Sequence, residues 1–138
     1  MTFTSNNIFI NLPVKDVNKS TSFFKELGFS FNPQFSDAAT SCMIISDNIF
    51  AMLLSEERFK GFTKKENVDA STTAEVIIAL SAESREEVDE IVNKALSAGG
   101  KSFSDPQDYD FMYQWGFQDL DGHLWEVTYL DASALPQE

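Results

Sequence analysis

The strongest constraint on this chain is that one pattern of elements runs through it twice. Residues 7–14 (NIFINLPV) are β-rich and read as a strand. Asp16 follows, and its carboxylate can accept from the free N–H groups of a first helical turn. Val17, Phe24 and Leu27 then share one helical face with Phe23 beside them, until Gly28 stops the helix. Phe29, Phe31 and Phe35 suggest a strand, and residues 41–46 and 49–54 suggest two more around an Asp47-Asn48 turn. The first half therefore reads β, α, β, β, β.

A short helical turn over 56–62 and a polar stretch over 63–73 separate this from a second round. Residues 74–80 (AEVIIAL) read as a strand. Ser84 and Glu87 have the S-x-x-E spacing of a capping box. Val88, Ile91, Val92, Ala95 and Leu96 follow at the intervals of an apolar helical stripe, which Gly99-Gly100 ends. Residues 101–103, 112–118 and 124–130 read as strands, the last two joined across Asp121-Gly122. The expectation is a single α+β domain over 1–138, with modules at 5–62 and 74–131, a linker at 63–73 and a tail at 132–138. Neither half has enough residues to bury a four-stranded sheet alone, so two open, mixed sheets sharing one molecule are expected.

Composition narrows the function. Ten Lys and Arg are scattered among 22 acids for a net charge of −12, which leaves no basic track for nucleic acid. No run of 18 apolar residues suggests a membrane span. The polar, uncharged N-terminus lacks the signature of a signal peptide. Cys42 has no second cysteine to pair with, so a reducing, cytoplasmic setting is expected. Thirteen phenylalanines can fill a core, line a pocket for an organic ligand, or do both.

Two runs carry a family resemblance. Asn11-Leu12-Pro13-Val14-Lys15-Asp16, then Ser20, Phe23-Phe24 and Leu27-Gly28-Phe29, resembles the opening of vicinal-oxygen-chelate proteins, the glyoxalase, bleomycin-resistance and extradiol-dioxygenase fold. Residues 117–127, Phe117-Gln118-Asp119-Leu120-Asp121-Gly122-His123-Leu124-Trp125-Glu126-Val127, resemble that family's closing F-x-D-P-D-G-H-x-W-E-v run, with Leu120 where the pattern has Pro. The resemblance implies two βαβββ modules curled into cup-shaped mixed sheets around a cleft. In many members four side chains hold a divalent metal there, while some members bind drugs with no metal.

Carried over position by position, the resemblance implies four ligand positions, which fall at Phe9, at Met52 (or Leu53 with the register shifted by one), near Ile77 and at Glu126. Three are apolar, and His and carboxylate donors are what Zn, Ni, Mn or Fe needs. Asn11 lies two residues from Phe9 on the same strand face, and Glu75 two residues before Ile77. If a metal were held, Glu126, Glu75 and His123 would supply it, although His123 in a D-G-H turn reads better as a turn residue. Glu126, facing the cleft, is the candidate general base or ligand anchor. Tyr109, Phe111, Tyr113, Trp115 and Phe117 alternate, so one strand would present them on one face. A core and a stacking wall both account for that, and Tyr113 and Trp115 join the candidate ligand-binding set.

The expected function is binding of a small organic ligand in the cleft by Phe9, Asn11, Met52, Glu75, Ile77, Tyr113, Trp115 and Glu126, with no cofactor. The alternative is a metal-dependent enzyme of the lactoylglutathione-lyase type, or a dioxygenase relative, with an altered ligand set. A homodimer is expected from the family and from sheet edges that need covering.

Overall fold

The computed structural model describes residues 2–131 and 133, which divide into two compact units at Val68 and Asp69. In the first, β1 (Ile8–Val14), α1 (Val17–Leu27), β2 (Ser30–Asp37), β3 (Thr40–Ser46), β4 (Ile49–Ser55) and α2 (Glu56–Gly61) follow in order. The sheet is four-stranded, in the order β1-β4-β3-β2, with β1 parallel to β4 and the other pairs antiparallel. A parallel pair needs a crossover, and α1 lies within it. Asp16 caps α1 by accepting from the Lys19 N–H at 3.0 Å, and Gly28 closes it at φ 107°, a conformation that favours glycine.

Along these strands alternate residues point to opposite faces. Leu12, Val14, Met43, Ala51 and Leu53 form one buried face, and Val17, Phe23, Phe24 and Leu27 of α1 are buried with them. The Thr21 hydroxyl donates to Ser41 Oγ at 2.8 Å, tying α1 to that side of β3. Burying each such Phe or Leu contributes about 1.5–3 kcal/mol, so α1 is held by packing more than by propensity.

The second unit repeats the plan with β5 (Ile77–Ala82), α3 (Arg85–Ser97), β6 (Gln107–Tyr109), β7 (Met112–Gln118) and β8 (Leu124–Leu130). Its sheet runs β5-β8-β7-β6, with β5 parallel to β8. Ser84 Oγ accepts from the Glu87 N–H at 3.1 Å, and the Glu87 carboxylate reaches back to the Glu83 N–H at 3.0 Å, one residue beyond a standard capping box. Val88, Val92 and Ala95 of α3 are buried, as are Phe117, Trp125 and Val127 of the sheet.

Three expectations need correction. The strand expected over 74–80 begins at Ile77, because residues 71–73 spend their backbone donors on Asp69. Residues 101–103 form no strand: Lys101 makes one bridge to Gln118, and Pro106 then interrupts the donors. The missing strand is β6, which pairs with β7 in a tight hairpin over residues that the sequence reading leaves unassigned. Of the expected tail, only Ser133 falls among the described residues.

Candidate functional site

In the first unit the face opposite α1 carries the candidates. Phe9 is in register with Phe50, and Asn11 with Met52. Cys42 of β3 faces Met52 from the other side, and Thr40 faces Leu54. Phe9, Asn11 and Met52 therefore share one face of two adjacent strands, as expected. The Phe9 and Phe50 rings stack with centroids 5.1 Å apart, yet Phe9 remains 56% exposed.

Helix α2 covers part of this face. Ser55 caps it by accepting from the Arg58 N–H at 3.2 Å. The Arg58 guanidinium then reaches Thr40 Oγ1 at 2.6 Å and both Asp37 carboxylate oxygens at 3.0 Å. That guanidinium, with backbone donors from Ala39 and Thr40, holds the Asp37 carboxyl below its ordinary range. The helix thereby brings Phe59, Phe62 and Thr63 against Asn11, and these four line an open cavity of about 360 Å³. Phe59, Phe62 and Thr63 escaped the sequence reading. Their signal was the F-x-x-F spacing, which puts both rings on one side of a helical turn.

In the second unit Glu126 is in register with Ala79 on one side and Gly116 on the other, and Ile77 with Leu124. Glu126 and Ile77 share the face turned away from α3, and Ile77 is 54% exposed. Glu75 lies in the bend before β5, so the expectation that it shares a strand face with Ile77 does not hold. The aromatic run is also corrected. Tyr109 ends β6 and Phe111 lies in the turn, while Tyr113, Trp115 and Phe117 are in register with Tyr129, Val127 and Trp125. These three belong to the face opposite Glu126. The Tyr113 hydroxyl donates to Asp89 of α3, and burial followed by that carboxylate pushes its pKa up to about 12. Tyr113 and Trp115 thus lie half-buried on the helix-covered side, and of the three only Phe117 belongs to the core.

His123 takes its place in the turn as expected. Its N–H donates to Asp119 Oδ1 at 3.0 Å, and its carbonyl accepts from the Asp119 N–H at 3.0 Å. Asp119 itself was not singled out. It is buried, and its oxygens also accept from the Asp121 N–H and from Trp125 Nε1, each at 3.0 Å. Burial raises its pKa, partly offset by His123, by the Trp125 indole and by the two amides. Cys42 is likewise buried, and burial pushes its thiol pKa up, away from the thiolate a nucleophile needs.

A metal centre does not fit this donor set. Phe9, Met52 and Ile77 offer no ligand atom of the needed kind. Among the described residues no group of three or more His, Cys, Asp or Glu is placed to hold an ion. Glu75, His123 and Glu126 are accordingly not brought together as one.

Comparison with known proteins now bears on the fold. The model of the glyoxalase/bleomycin resistance protein/dioxygenase superfamily matches residues 8–127, most of the chain. The chain belongs to that superfamily. Among solved structures, a hypothetical protein from S. aureus is 32% identical at a TM-score of 0.76, over 92% of this chain and 95% of that one. A glyoxalase/bleomycin resistance protein/dioxygenase family enzyme from Burkholderia phytofirmans PsJN is 14% identical at a TM-score of 0.75, over 88% and 96%. The fosfomycin resistance protein FosX from Listeria monocytogenes is 20% identical at a TM-score of 0.69, over 95% and 98%. The curated proteins provide no match. For this superfamily member the two distant likenesses establish the fold alone, since one fold hosts many chemistries. No helix among the described residues is long and apolar enough to cross a membrane.

Proposed function

We propose that this glyoxalase-superfamily chain binds a small organic molecule at the open face of its first sheet, without the divalent metal that the family resemblance leads one to expect. The observation that carries the reading is the cavity of about 360 Å³ between Asn11, Phe59 of α2, and Phe62 and Thr63 just after that helix. Its size lies within the range of small-molecule sites, which are mostly apolar with a few placed polar groups. Phe62 is 73% exposed, so a bound apolar group would remove ring surface from water. The Asn11 amide supplies one donor group and one acceptor to orient the guest. Phe9 and Met52 extend the face around Asn11, while Glu126 and Ile77 stand as candidate contacts on the second unit's own open face. A homodimer is part of the proposal, since β1 and β5 are outer strands of their sheets with edges to cover.

The test pairs metal analysis with ligand screening. Protein purified without chelator is expected to carry far less than one Zn, Ni, Mn or Fe per chain. Screening by thermal shift is expected to find small aromatic compounds whose affinity falls roughly tenfold in Asn11→Leu, about 1.4 kcal/mol. Stoichiometric metal that chelation removes along with turnover would instead establish the metal-dependent lyase-type enzyme.

A further inference from the structure

Basic residues are concentrated beside this cavity. Four of the ten Lys and Arg, namely Arg58, Lys60, Lys64 and Lys65, fall within eight positions of an otherwise acidic chain. Two are already committed. Arg58 is held by Asp37 at 3.0 Å, and Lys60 by Glu66 at 3.1 Å. Lys64 and Lys65 are exposed and make no ion pair among the described residues.

These two lysines directly follow Thr63, the last residue of the cavity lining. Thr63, which lines the cavity, accepts from the Lys65 N–H through its hydroxyl at 3.1 Å, so the chain turns around that oxygen. The Lys60–Glu66 pair spans the turn. Asn67 Nδ2 donates to the Glu56 carbonyl at 3.0 Å and returns the chain to the start of α2. Glu56 and Glu57 open that helix, three and two residues before Phe59. The net charge of −12 opposes an anion in general, but at ordinary salt charges beyond about 10 Å are screened, so the groups nearest the mouth set the local field.

On the proposed binding reading, we infer that the ligand is an amphiphilic organic anion: an aromatic or apolar body against Phe59 and Phe62, a hydrogen-bonding group at Asn11, and a carboxylate or phosphate at the mouth beside Lys64 and Lys65. The rings remove apolar surface from water, and the lysines leave the charged end hydrated. Each exposed ammonium is expected to contribute a factor of about two to three at low salt, which makes an acid roughly five times tighter than its neutral counterpart.

The experiment uses full-length protein and matched probes: phenylacetic, indole-3-acetic and 2-naphthoic acids, each with its primary amide, and phenyl phosphate. Affinities are measured by calorimetry at low and high salt. The acids are expected to bind about fivefold tighter than the amides at low salt, with the gap closing as salt rises. In Lys64→Gln/Lys65→Gln the gap closes while amide affinity stays unchanged, and in Lys64→Glu/Lys65→Glu it reverses. Phenyl phosphate binding above or below the acids decides which anion the mouth prefers. Amides that bind as well as acids, with both weakened in Asn11→Leu, would overturn the anionic ligand and leave the cavity reading standing. Absence of binding by any probe, or binding indifferent to Asn11→Leu, would sink both.

Discussion

Asp119 does the most that one side chain does in the second unit. Its carboxylate accepts from two turn amides and from the Trp125 indole, all at 3.0 Å, while buried. Replacement by Asn leaves one acceptor oxygen where there were two, and is expected to cost about 2 kcal/mol at neutral pH, read by urea denaturation. Because burial raises the folded pKa, the carboxyl's contribution is full below the ordinary carboxylate pKa and declines as pH rises through the raised value. The stability gap between wild type and Asp119→Asn should therefore narrow from about pH 4 to pH 7. A gap that widens would mean that the hydrogen bonds outweigh desolvation. Gly116 is constrained differently. A Cβ there would stand 2.4 Å from the Trp125 carbonyl oxygen and 3.0 Å from the Phe103 ring, so Gly116→Ala is expected to lose about 2 kcal/mol or more. Neither role was legible in the residues alone. An Asp in a D-x-D-G-H turn looks solvent-facing until the fold brings the indole over it, and Gly116 looks like a weak strand residue until Phe103 arrives.

At the scale of elements, both modules use an arginine in the first turn of a helix as a strap. Arg85 bonds Asp108 of β6 and stands 5.5 Å from the Tyr113 ring centroid and 6.0 Å from that of Tyr129. Arg85→Ala is expected to loosen the β6–β7 hairpin, visible as faster amide exchange at residues 107–112. Arg58 does the same for α2. Since Arg58 lowers the Asp37 pKa, this strap is complete above the ordinary carboxylate range and is lost as pH falls through the lowered value. Faster exchange in α2 at acid pH, mimicked by Asp37→Asn at neutral pH, is the expected result. Most elements were legible because caps and apolar periodicity are local: Asp16, Gly28 and Ser84 mark helix ends where the structure has them. β6 was not, because its three residues pair through a long-range arginine contact and carry no alternation of their own. Tyr113 and Trp115 misled for a related reason. Alternation says which residues share a face, but not which face the helix will cover.

At the scale of the whole molecule, charge and metal independence give the clearest expectations. A net charge of −12 on 138 residues implies self-repulsion that salt screens, so moderate salt should raise the melting temperature by a few degrees. Chelator at the same ionic strength should leave it unchanged to within about 1 °C, since no bound ion contributes to folding on the proposed reading. The candidate site was half legible. Phe9 and Met52 came from the family resemblance and Asn11 from sharing the strand face of Phe9, whereas Phe59 and Phe62 depended on where a six-residue helix would lie.

The parallel pairing of β1 with β4 sets an order of events. As the chain is synthesised, Ile8 emerges long before Ile49, its partner in the sheet, while the β3–β4 hairpin can zip as soon as its turn is made. The first strand is then the last to dock, and Asn11 gains its surroundings late. A ribosome-tethered chain ending near Asp47 should consequently expose β1 to protease and to chaperones, and extension through residue 68 should protect it. The strand that carries Asn11 would be the first unit's final piece of order and, on the proposed reading, the part whose folding a bound molecule is best placed to assist.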